Sequence, residues 1–155
     1  FGTGLTSTAV TWTLYNPSGS GVYLALLQTA FSMTATQSTT ITGESIVYAA
    51  NFDPSAALLT GTQIVTRAAC FGGNAASIGK VYSAATLPAT PTAVRVHSWG
   101  YNGFTTNSAG GGTGATDYVN GSIVLAPNTA VTLQGIATTT QITGIASGVW
   151  AEIPI

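Results

Sequence analysis

The stretch "TAVTWTLYNPSGSGVYLALLQT", Thr8 to Thr29, decides the fold. Ahead of the bend, Val10, Trp12 and Leu14 alternate with Thr11, Thr13 and Tyr15. A period of two in β-branched and aromatic residues marks a strand. "NPSGSG" then interrupts with Pro and Gly, the residues that supply fixed and positive backbone angles at turns. Its N–H groups suggest an anion cradle, but it has neither the Lys nor the spacing of a phosphate loop. A strand-like segment follows it, so no helix dipole points at a ligand. We read it as a bend between strands. "VYLALLQT" (22–29) is apolar on both faces, which predicts a strand covered from both sides.

The same pattern continues outward from this point. "ESIVYAA" (44–50), "TQIVTRAAC" (62–70), "KVYSAATL" (80–87) and "AVRVHSWGY" (93–101) each end in turn chemistry. "DYVNGSIVLA" (117–126), "AVTLQGIA" (130–137) and "GVWAEIPI" (148–155) complete the set. Short strands separated by Gly, Pro and Asn predict an all-β fold, an antiparallel β-sandwich of jelly-roll type. In "DPSAALLTG" (53–61), Asp53 suits a cap, Pro54 a first turn and Gly61 a left-handed end, so a short helix is expected over Pro54–Thr60. "NSAGGGTGATD" (107–117) has the composition of a surface loop. No boundary or repeat divides residues 1–155, and one domain is expected.

Charge is the most unusual feature of the composition. The 155 residues carry only Glu44, Asp53, Arg67, Lys80, Arg95, Asp117 and Glu152, which is 5% against about 25% in ordinary domains. A net charge of −1 gives no electrostatic grip on nucleic acid. The apolar runs are too broken for a membrane helix. A neutral surface is weakly protected against association, so we expect much of it to contact protein. The lone Cys70 excludes an intrachain disulfide and has no basic neighbour to activate it.

Candidate sites for chemistry are sparse. The carboxylates are scattered and no His/Cys cluster or calcium loop is present, so no metal and no cofactor is expected. His97 is the single histidine, and no G-x-S-x-G turn marks a nucleophile for it. We therefore expect no catalytic residues and no enzyme. "GGGTGATD" holds a G-x-G outside any strand-to-helix setting. Asn120-Gly121-Ser122 matches a glycosylation acceptor, but Asn-Gly is more simply a turn. "HSWGYNGF" gathers Trp99, Tyr101 and Phe104 around Asn102-Gly103, where the rings can stack on sugar, fill an interface or cover the end of the fold. In "GVWAEIPI", alternation is expected to turn Val149, Ala151 and Ile153 to the core, and Trp150 and Glu152 outward. The candidate interface residues are Trp12, Tyr15, Trp99, Tyr101, Phe104 and Trp150.

Several blocks resemble a group of tailed-bacteriophage virion proteins. They are "LYNPSGSGVYLALLQT" (14–29), "VYAANFDPSAALLTGT" (47–62), "ATLPATPTAV" (85–94), "SIVLAPNTAVTLQG" (122–135) and "GVWAEIPI" (148–155), in that order. The resemblance implies a β-rich head decoration or cement protein, with a short polar arm upstream of Phe1 and no catalytic residue. The expected partners are further copies of the chain, in a homotrimer, and the major capsid protein or another virion protein; nucleic acid and membrane are not expected. Two other readings compete: a receptor- or glycan-binding module of a tail fibre, and a bacterial surface-filament subunit.

Overall fold

Where small or polar residues alternate with large apolar ones, the chain runs as extended strand. The computed structural model describes residues 4–8, 10, 12–33, 44–51, 60–66, 76–100, 114–137 and 144–155. Within them lie β1 (Trp12–Asn16), β2 (Val22–Met33), β3 (Glu44–Asn51), β4 (Thr60–Ile64), β5 (Lys80–Thr86), β6 (Thr92–Gly100), β7 (Gly114–Leu125), β8 (Thr129–Ala137) and β9 (Gly144–Pro154). The described residues are all-β, as expected. Of the helix expected over Pro54–Thr60, residues 54–59 lie outside the described residues, and Thr60 opens β4 instead.

The pairing is antiparallel and nested: β1 lies beside β8, β2 beside β7, β3 beside β6 and β4 beside β5. Contacts of β1 with β5 and of β3 with β8 join these into a six-stranded sheet ordered β4-β5-β1-β8-β3-β6. β9 adds to the other side of β2, giving a three-stranded sheet ordered β7-β2-β9.

β1 and β2 thus belong to different sheets, and "NPSGSG" is a corner between them rather than a hairpin. Gly19 and Gly21 hold φ of +69° and +70°, a region that residues with a Cβ enter at a cost. Buried Asn16 fastens the corner, its Nδ2 donating to the carbonyls of Val22 and Leu125 at 2.8 and 3.0 Å. The Ser20 N–H turns back to the Pro17 carbonyl at 3.2 Å. The Ser20 amide, one of the N–H groups that a phosphate cradle would offer, is thus already engaged.

One apolar core joins the sheets. Trp12, Leu14, Ile46, Tyr48, Val81, Val131 and Leu133 of the larger sheet meet Val22, Leu24, Leu26, Phe31, Val119 and Leu125 of the smaller. The Trp12 indole reaches β9 because position 148 is glycine: a β-carbon there would lie 2.6 Å from Trp12 Cζ2. A second cluster, Val10, Tyr15, Ala85, Leu87 and Ala130, lies outside this core. Ser7 lies beside it, the Leu87 N–H donating to the Ser7 carbonyl at 2.6 Å. Strand β1 is consequently buried throughout.

The expectation that β2 is covered on both faces is corrected. Leu24 and Leu26 are fully buried, but Tyr23 and Leu27, which face away from the core, are exposed. In β9 the expected phase is reversed. Directly opposed residues of an antiparallel pair share a face, and Trp150 opposes Leu26 while Glu152 opposes Leu24. Trp150 therefore packs on the core, and Val149 and Ile153 are exposed.

Candidate assembly surface

The smaller sheet has one face on the core and one face open. Across the open face, register aligns Ile153 with Tyr23, then Ala151 with Ala25 and Val124, then Val149 with Gln28 and Tyr118. Ser147, Ala30 and Thr116 follow, and then Ile145 beside Ser32. Tyr118 is 67% exposed, Ile145 67%, Val124 54% and Val149 45%. Isolated exposed apolar residues are ordinary, but a contiguous apolar patch marks a contact surface. Among the described residues of these strands no formal charge stands on this face, because their carboxylates, Asp117 and Glu152, point the other way.

Each inward carboxylate is held by a specific set of donors. Tyr48 Oη donates to Asp117 Oδ2 at 3.0 Å, and Arg95 Nη2 pairs with Asp117 Oδ1 at 2.8 Å. Arg95 Nη1 donates to Ser122 Oγ at 3.0 Å, and the guanidinium lies over the Tyr48 ring, 5.9 Å from its centroid. Because the one phenol proton goes to Asp117, Thr29 Oγ1 is the donor in its 2.5 Å bond to Tyr48 Oη. This clasp joins β3 and β6 of one sheet to β2 and β7 of the other. Burial is the main reason that the Tyr48 phenol titrates well above its ordinary 10.0, and the phenol stays protonated. At the opposite edge Glu152 Oε1 accepts from Ser77 Oγ at 2.6 Å, from the Gly79 amide at 2.9 Å and from Trp150 Nε1 at 3.5 Å.

The sequence-derived interface residues divide accordingly. Trp12 is 3% exposed and Tyr15 is also buried, so the chain's own core takes up both rings. Trp150 packs partly against the core rather than pointing outward. Tyr101, Phe104 and the side chain of Trp99 lie outside the described residues. Sequence reading missed Tyr23, Tyr118, Val124 and Val149, which form the open face. The available signal was the apolar character of "VYLALLQT" on both of its faces.

His97 stacks obliquely on Tyr48, with ring centroids 5.5 Å apart, and its Nδ1 meets Ser98 Oγ at 3.0 Å. Asp117 is committed to Arg95 and Tyr48, so His97 and Asp117 do not form the paired base and carboxylate of a nucleophilic triad. Among the described residues no three His, Cys, Asp or Glu side chains gather as metal ligands. No protein-family model, curated protein or solved structure matches the chain.

The buried polar groups give the protein an expected acid response. Burial holds the His97 imidazole below its ordinary 6.5, against the pull of Asp117 and the Thr29 backbone. Burial pushes the Glu152 carboxyl up, but the donors from Ser77, Gly79, Trp150 and Ile78 together leave it below its ordinary 4.5. In both cases the unfolded chain takes up a proton before the folded chain does, so stability falls as pH falls. Resistance to urea should fall in two stages, beginning below pH 6.5 for His97 and again below pH 4.5 for Glu152. His97→Gln should remove the first stage and Glu152→Gln the second. Unchanged profiles in both variants would contradict the assignment.

Proposed function

We propose that this protein is a structural virion component, a decoration or cement protein that binds a phage head lattice as a homo-oligomer. The observation that carries the reading is the open face of β7-β2-β9, apolar and without formal charge. A surface of that kind costs little to desolvate and gains by being covered. Seven charged residues in the whole chain support the same conclusion, since solubility as a lone molecule was not favoured. Placement on a phage head rests on the resemblance of the blocks from Leu14 to Ile155.

The nested strand pairs support a jelly-roll reading of the two sheets. First pairs with eighth, second with seventh, third with sixth and fourth with fifth. In such a roll the β4–β5 hairpin would extend the sheet that holds β2 and β7. Here it joins β1 instead, and β9 takes the place beside β2. A fold of this type stays closed by packing alone, without cofactor or disulfide, which suits a particle exposed to the medium.

Electron microscopy of heads incubated with the purified chain tests the proposal. The expected image shows density repeating with the head lattice, with trimers as the stoichiometry favoured by the sequence reading. Heads that stay bare at saturating protein, with the chain folded, would overturn it.

A further inference from the structure

We infer that residues 4–8 form a strap that lifts from the six-stranded sheet as a unit while both apolar clusters stay packed, and that Gln134 is its latch. The inference goes beyond the assembly reading and does not depend on it. On β8, Val131 and Leu133 face the core, so alternation turns Thr132 and Gln134 to the opposite face of the sheet. Gln134 is nevertheless only 5% exposed. Its carboxamide bonds both backbone groups of one residue. The Thr6 N–H donates to Gln134 Oε1 at 2.9 Å, and Gln134 Nε2 donates to the Thr6 carbonyl at 2.9 Å. A side chain thus makes the pair of bonds that a neighbouring antiparallel strand would make.

The latch is set by the sheet rather than by the strap. Gln134 Nε2 also donates to Thr132 Oγ1 at 3.2 Å, and Thr132 Oγ1 donates to the Ala49 carbonyl at 3.1 Å. This chain of bonds fixes which end of the carboxamide is the donor, since a flipped amide would set N–H against the Thr6 N–H. Ser7 supplies the other tie, its carbonyl accepting from the Leu87 N–H at 2.6 Å. Within the strap the Thr8 N–H donates to Thr6 Oγ1 at 3.1 Å, which holds Thr6, Ser7 and Thr8 in one bend.

What the strap lacks is an apolar tie. Neither cluster of buried apolar residues includes any of residues 4–8, and Gly4, Thr6 and Thr8 are exposed. A segment held by a few hydrogen bonds near solvent, with few buried apolar contacts, opens at a lower free energy than the core. Val10, by contrast, is buried in the second cluster and exchanges two backbone bonds with Ala85, at 2.9 and 3.0 Å. Opening therefore stops ahead of Val10. Water can replace each bond that lifting breaks, and the lifted state bares a carboxamide already oriented to take Thr6 back.

Native-state hydrogen exchange on the full chain, read residue by residue by NMR, tests the strap and its latch. The Thr6 and Leu87 amides should share one protection factor, at least about 100-fold below that of the best-protected β8 amides. Low urea should leave it unchanged, because little surface is exposed on lifting. Thr6→Pro alters an exposed residue and removes the N–H that Gln134 Oε1 accepts. It should speed exchange at Leu87 about 10-fold, the factor of one hydrogen bond, and leave the β8 amides as they were. Gln134→Met, which keeps the length of the side chain and removes both bonds, should do the same or more. If Gln134→Met does not fold, Thr6→Pro decides alone. A Leu87 amide that exchanges only with the β8 amides, at their urea dependence, overturns the separate strap. A Leu87 amide that Thr6→Pro leaves unchanged overturns the unit, and one that a folded Gln134→Met leaves unchanged overturns the latch.

Discussion

Trp12→Ala is expected to lower the unfolding free energy by about 3–5 kcal/mol, the range for deleting a buried large aromatic. The ring is almost fully buried, sits between Leu133 of β8 and Gly148 of β9, and joins the two sheets. The test also separates two roles for this tryptophan. As an interface anchor, its loss would reduce association and leave the isolated fold unchanged. As a core residue, its loss should shift the urea midpoint whatever the protein concentration. Gly148→Ala probes the same contact from the other side. Its methyl group would stand 2.6 Å from Trp12 Cζ2, so about 1–3 kcal/mol of overpacking is expected. Combining Gly148→Ala with Trp12→Phe should recover part of that loss, because the smaller ring leaves room for the methyl group.

The second large effect is at Tyr48. Tyr48→Ala should cost about 3–5 kcal/mol, since a fully buried ring in contact with the His97 ring and the Arg95 guanidinium is removed. Tyr48→Phe isolates the polar share. It keeps the ring but leaves the buried Thr29 hydroxyl without its acceptor and Asp117 with one donor fewer. About 1–3 kcal/mol is expected for that alone. If Tyr48→Phe proves neutral, the inter-sheet clasp contributes nothing to stability. The Arg95–Asp117 pair, open to solvent on the Arg95 side, should then account for the Asp117 orientation by itself.

Strands were easy to read from this sequence, but the direction each face points was not. Alternation located β1, β6, β7 and β9 because their period of two is plain in the residue order, and a continuous apolar run located β2. Hydrophobicity marks the core only when the opposite face is polar, and here it is not. Val149 and Ile153 look more core-like than Trp150 and Glu152, yet the register with Leu24 and Leu26 turns them outward. The same inversion occurs in β6, where Val94 and Val96 are exposed while Arg95 and His97 lean on Tyr48. The inward polar residues find their partners far along the chain: Tyr48 reaches Asp117, and Glu152 reaches Ser77. No local pattern announces such pairs. The errors of phase and the apolar open face therefore share one origin, an exterior built from the same residues as the core.

Sedimentation velocity of the wild-type chain from nanomolar to high micromolar concentration tests this account most directly. A species heavier than the 15.5 kDa monomer should grow with concentration and persist at high salt, because its contact is apolar and uncharged. A single 15.5 kDa species across the whole range would contradict it.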